Sequence, residues 1–207
     1  MKRLFFLILL IGFFLASASG NDITFGGGNT SIQTQAGRQV ITLSQGAHIQ
    51  SGSIILKADT ITLYGDGFRY VSCQGGLSLV DEERNLKLKA NRLFYDREAE
   101  EILIEGYVEL DDPANELIAR GFGLEYRIDE QRISLHAEVT LEKHTSSGAM
   151  VCKADVMSFD RTAMSLLLSG KASVHWAGDR YEAQQIVIDL EREEITAEGS
   201  IRGVIHG

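Results

Sequence analysis

The sequence predicts an all-β fold, an elongated stack of long bent strands built from about five two-strand repeats. Three observations carry this reading. Apolar and polar side chains alternate at a period of two through most of the chain, the mark of strands with one buried face. The alternating runs recur in a fixed order about 30 residues apart, the signature of a repeat array. Finally, one proline and 21 glycines among 207 residues suit many short strands joined by tight turns. No stretch of useful length keeps a 3.6-residue period.

Residues 1–18 read as a signal peptide. Lys2 and Arg3 form the charged end, Leu4 to Leu15 the apolar run, and Ala16-Ser17-Ala18 the small-x-small cleavage site. The run is short for a membrane span, and an uncleaved anchor is the alternative. No cysteine follows it, which argues against lipoprotein processing. Residues 19–30 are glycine-rich and read as a flexible lead-in, and 31–207 as a single β-stack domain. The mature chain is thus expected outside the inner membrane, or held at the outer face of that membrane if the anchor stays.

Two kinds of strand alternate after that. The first is centred on alanine and takes a step of three just after it, so the strand must bend there to keep both halves facing one interior. Its copies place Leu56, Ala58, Ile61 and Leu63 inward, then Leu88, Ala90 and Leu93. Ala119, Phe122 and Leu124 follow, then Ala154, Met157 and Phe159, and finally Ala183 and Ile186. The second kind is centred on a small residue. It places Ile102, Ile104 and Val108 around Gly106, Ile133, Leu135 and Val139 around Ala137, and Leu168 beside Gly170. A small central residue leaves room for a sheet to fold back on itself. Polar turns such as Asp96-Arg97-Glu98-Ala99 and Glu191-Arg192-Glu193 join the strands as hairpins.

The ordered set KAD-x-I-x-LY (57–64), KAN-x-L-x-YD (89–96), KAD-x-M-x-FD (153–160) and EAQ-x-I-x-I-D (182–189) is followed by glycine-centred strands such as LIEGYVEL. Over residues 31–203 it resembles the OstA-like family of LptA/LptC-like periplasmic lipopolysaccharide-transport proteins. The resemblance implies a V-shaped or jellyroll-like stack of antiparallel strands, a trough whose inward apolar residues, those named above apart from the central alanines, line a site for acyl chains of lipopolysaccharide or a related glycolipid. It further implies end-to-end pairing with neighbouring copies and with OstA-like domains of inner- and outer-membrane partners. From the residues alone the interior is equally a sealed core, and a structural or adhesive β-rod without cargo is the rival reading.

Both chain ends read as unblunted sheet edges. Ile32 and Val40 mark the N-terminal edge, while Ile195 and Ile201 mark the C-terminal one, with self-capping by the tail as the alternative. Catalysis is not expected. His48, His136, His144, His175 and His206 are scattered without paired spacing, the carboxylates crowd at turns, and no cofactor or metal site is apparent. A net charge of -9 without a basic block argues against nucleic-acid binding. Lys57, Lys89 and Lys153 precede the central alanines and form a row that either meets anionic groups or simply faces water. Cys73 and Cys152 occupy apolar strand positions and read as buried thiols, with a disulfide as the alternative.

Overall fold

The computed structural model describes residues 22–35 and 37–205. The signal-peptide reading and His206 lie outside them. Among the described residues one antiparallel sheet of 15 strands contains nearly everything. The strands are β1 (Ile23–Gly26), β2 (Asn29–Gln35), β3 (Arg38–Ser51), β4 (Ile54–Tyr64), β5 (Tyr70–Asp81), β6 (Leu86–Asp96), β7 (Glu101–Asp112) and β8 (Leu117–Arg127). They continue as β9 (Arg132–Thr145), β10 (Gly148–Ala154), β11 (Val156–Asp160), β12 (Ser165–Trp176), β13 (Asp179–Asp189), β14 (Glu194–Glu198) and β15 (Arg202–Val204). Neighbours in sequence are neighbours in the sheet. Three pairs, β1 with β2, β10 with β11, and β14 with β15, flank the same partners as halves of one interrupted strand.

A single crease crosses the sheet. The register slips between Ser44 and Ala47, Lys57 and Thr60, Gln74 and Leu77, Lys89 and Arg92, and so on to Ser169 and Ala172. In alanine-centred strands the slip is the step of three, so Ala58 and Ile61 are both buried. In the other kind the buried residues stand four apart, as in Cys73 and Leu77. There the backbone turns through positive φ, at 76° and 50° for Gly75 and Gly76. Glycine is required at Gly170 for a second reason: a Cβ there would lie 2.7 Å from the Asp155 carboxylate. Asp59, Asp155 and Gln184, each the residue after a central alanine, thus turn against Gly75, Gly170 and Gly199 of the next strand.

The crease divides the sheet into two walls whose inner faces share one hydrophobic core. The first wall comprises residues 47–58, 77–90, 108–119, 139–154 and 172–183. The second comprises 38–44, 61–73, 93–104, 124–135, 157–168 and 186–195. At their tips the hairpins are held by aspartates. Asp96 accepts from the backbone N–H groups of Glu98 and Ala99, and Asp189 from those of Glu191 and Arg192. Such side-chain turns explain the aspartates Asp96, Asp160 and Asp189 at the ends of β6, β11 and β13.

Three expectations need correction. Residues 23–26 and 29–30, read as part of a lead-in, are strand, because β3 offers them a full partner edge from Arg38 to Ser51. Val40 is not at an edge, since β3 pairs with β2 on one side and β4 on the other. Phe122 points outward and is 44% exposed. In that strand the phase changes one step later, so Gly121 takes the inner position, and Phe122 packs edge-on against Tyr107 with ring centroids 5.7 Å apart.

Candidate functional site: a closed interior with open ends

The inward positions of both kinds of strand form one buried apolar interior. Ile61, Leu63, Leu93 and Ile104 are buried alongside Leu56, Leu88, Ile102 and Val108. Leu124, Ile133, Leu135 and Val139 continue the series, followed by Met157, Phe159, Leu168 and Ile186. The odd-numbered step therefore keeps both halves of each strand on a common lining. Cys73 and Cys152 lie within it as free, buried thiols, and burial pushes each up to about 12. A thiol held protonated in an apolar wall is a poor nucleophile.

Opposite the crease, where an open trough would have its mouth, the wall tips are stitched together. Arg97 Nε donates to Ser51 Oγ at 3.0 Å. The buried Tyr126 hydroxyl donates to Asp81 Oδ2 at 2.8 Å. Arg161 donates to both oxygens of Asp112, at 2.8 and 3.1 Å, and to the carbonyl of Arg84 at 2.8 Å. At the far end Ser146 Oγ donates to Glu193 at 3.2 Å. The partners stand 46, 45, 49 and 47 residues apart, so one clasp recurs per repeat and joins a tip of the first wall to a later tip of the second.

The clasps differ in burial. Asp81 and Asp112 are fully buried, whereas the Ser146–Glu193 contact is exposed. Asp81 is satisfied by Ser53 and Arg84 as well as Tyr126. Burial, and then the Asp81 carboxylate, push the Tyr126 hydroxyl above its usual range, so it remains a donor. The sequence carried a signal for these groups that the apolar pattern hid. Ser51, Asp81 and Asp112 each sit at the inward phase of the last strand position, where a polar residue needs a partner across the interior.

The ends are less sealed. At the N-terminal end a cleft of about 500 Å³ opens between β1 and the 65–69 turn, with Ile23, Phe25, Leu63 and Phe68 beneath Arg69 and Arg97. Arg69 is itself held by Asp96 at 2.6 Å and Glu98 at 2.8 Å. At the C-terminal end an apolar notch lies between Met150, Trp176, Ile188 and Leu190, next to Glu193.

Both terminal strands present apolar side chains to solvent. Ile32 on β2 is 60% exposed and Ile201, in the break between β14 and β15, is 58% exposed. Val204 and Ile205 are exposed too, while Ile195 is half-buried opposite Ile188. His48, His136, His144 and His175 are exposed, and no group of metal-ligating side chains occurs among the described residues. No helix among them is long and apolar enough to cross a membrane.

No family model and no curated protein matches the chain. Among solved structures it is similar to LptH of Pseudomonas aeruginosa, described as the LptA-homologous periplasmic component of the lipopolysaccharide transport device. The identity is 14%, the TM-score is 0.26, and the match covers 90% of this chain and 96% of that one. The superposition is loose, and the functional reading rests on this chain's own residues.

Proposed function

We propose that the protein is a non-enzymatic periplasmic bridge that holds acyl chains of lipopolysaccharide or a related glycolipid between its two walls. Neighbouring copies, and OstA-like domains of inner- and outer-membrane partners, join it through the terminal strands. The observation that carries the reading is one apolar interior running through the described stack, with strands at each end that are paired on one side only among the described residues. Strand pairing at those ends would carry the interior of one copy into the next. The ordered KAD-type motifs and the periplasmic targeting segment add the class of cargo and the compartment.

Burying one CH₂ from water is worth about 0.8 kcal/mol. In this protein the two walls already bury each other, so an entering chain replaces wall-to-wall contact as well as water contact. Its net hold is weaker than full transfer from water, and nearly equivalent repeats give it a row of similar minima. Weak holding over equivalent steps suits passage more than storage. Entry then requires the clasps to part, starting at the less sealed ends.

The continuous row of clasps favours a second reading, a structural rod whose walls never separate. A photocrosslinker placed at Ile104 or Leu135 in living cells separates the two. Lipid adducts at these positions support the carrier, and their absence at every inner position leaves the rod.

A further inference from the structure

One field on the outer surface of the second wall stands apart in its side chains. There the outward residues of β2 to β5 form two rows across the paired strands. One row runs Ser31, Thr42, Thr62 and Ser72, and the other, nearer the crease, Asn29, Ser44, Thr60 and Gln74. All of these side chains are half-buried or exposed. None makes a side-chain hydrogen bond among the described residues. The first row continues into Phe94 on β6 and Leu103 on β7. An aromatic row borders it on the side of the tips. The ring centroids of Tyr64 and Tyr70 are 5.5 Å apart, and those of Tyr70 and Phe94 5.7 Å. Where these rows meet, Ser72, Gln74, Arg92, Phe94, Leu103 and Glu105 line a groove of about 510 Å³.

Neither row holds a charged side chain between β2 and β5, in a chain of which 24% is charged. Across the crease the same part of the sheet turns Lys57, Lys87 and Lys89 outward. The cations at the border of the field are all matched. Arg38 pairs with Asp66 at 2.9 Å and Arg92 with Glu105 at 3.9 Å. Arg69 lies 5.1 Å over the Tyr70 ring and is held by Asp96 and Glu98. Asp59, at the crease beside Gly75, adds a carboxylate and no cation.

We propose that this field binds a neutral glycan chain. A sugar hydroxyl both donates and accepts, as do the hydroxyls of Ser, Thr and Tyr, while an Asn or Gln amide offers one role at each end. The C–H face of a pyranose ring is apolar and stacks on an aromatic ring, which the row of Tyr64, Tyr70 and Phe94 supplies. Strands about 4.8 Å apart repeat the same groups along the field, as a polymer of like units requires. The groove falls within the range of about 300–1,000 Å³ usual for small-ligand sites. Other occupants match the field less well. A polyanion finds no free cation in it. A hydrocarbon surface would bury its hydroxyls and amides without partners. A protein partner calls for a projecting aromatic or arginine anchor, whereas these rings are half-buried and lean on one another. The site lies outside the walls and does not depend on any cargo between them.

The test is retention of the full chain on an array of immobilised oligosaccharides at low and high salt. The array sets neutral hexose and N-acetylhexosamine chains beside sulfated and carboxylated ones. Retention is expected on neutral chains and is unchanged by salt, because no charge pairs form. Tyr70→Ala removes one stacking contact and weakens binding about tenfold. T62K/S72K sets two ammonium groups in the field and abolishes binding, while Lys89→Gln across the crease leaves it unchanged. Circular dichroism checks that each variant folds. No retention on any neutral chain overturns the proposal. So does retention confined to the anionic chains, or a T62K/S72K variant that binds as the wild type does. Self-association that this variant loses, with no glycan retained, would assign the face to a second copy and overturn the proposal too. Lipid adducts still forming at Leu135 when glycan binding fails would sink this site alone and leave the carrier reading in place.

Discussion

The middle of the stack and its two ends are built from the same repeat, yet they solve the problem of closure differently. In the middle, Asp81 with Tyr126 and Asp112 with Arg161 join the wall tips by fully or nearly buried hydrogen bonds, and the large aliphatic side chains of the lining are buried. At the C-terminal end the clasp is an exposed Ser146–Glu193 contact, at the N-terminal end a cleft opens beside β1, and Phe25, Ile32, Ile201 and Val204 face solvent. A repeat array satisfies each unit with its neighbours, so the terminal units alone lack partners. The difference teaches that the ends are where this molecule is incomplete.

That contrast can be broken by mutation, and the largest effect belongs to the middle. Asp112→Ala leaves Arg161 buried without its carboxylate, a loss of roughly 3–5 kcal/mol, read as a lowered midpoint in urea unfolding. A change under 1 kcal/mol would mean the central clasp is open in solution. Ile61→Val removes one methylene from the sealed lining and costs about 1 kcal/mol. The same change at Ile32→Val on the exposed edge is expected to move stability by less than about 0.5 kcal/mol. Equal losses at the two positions would erase the distinction between lining and edge.

Acid sharpens the comparison at the tips. The Arg69 guanidinium beside Asp96, with backbone N–H groups of Ala99 and Glu98, holds that carboxyl below the usual carboxylate range. A depressed folded value means its contribution is present above the unfolded value of about 3.9 and is lost as pH falls through the folded one. Arg69→Gln should therefore move the acid-unfolding midpoint to higher pH, and an unchanged midpoint would show that the pair does not hold the tip. The smallest effect on stability is expected at the far end. Ile201→Pro lies in the break between β14 and β15, so the monomer unfolds as the wild type does. Its end-to-end assembly, followed by sedimentation velocity, is expected to be lost. Undiminished assembly would remove the C-terminal edge from the account.

Much of the lining was legible because period two is a strong signal and the step of three after Ala58, Ala90 and Ala154 repeats it with a fixed phase error. Phe122 was misplaced because Gly121 has no side chain to register in an apolar pattern, so the larger neighbour took its place in the reading. The lead-in was misread for a related reason: glycine runs suggest freedom, but a free edge on β3 supplies pairing that composition does not encode. The clasps were hidden in plain residues. Asp81 and Asp112 look like turn aspartates, and only the fold brings Tyr126 and Arg161 to them from 45 and 49 residues away. Which tip meets which depends on the offset between walls, a property of the assembled sheet that no local pattern contains.

Passage of acyl chains, as proposed, requires the two walls to part. It is tested most directly by the distance between them. Spin labels on cysteines introduced at the exposed tip residues Glu83 and Asp129 span the seam beside the Asp81–Tyr126 clasp, while the native Cys73 and Cys152 are buried away from the label. Pulsed dipolar spectroscopy on the free protein should give one short, narrow distance, and adding lipopolysaccharide should lengthen and broaden it. A distance that stays unchanged at saturating lipopolysaccharide would contradict the account and leave a sealed rod.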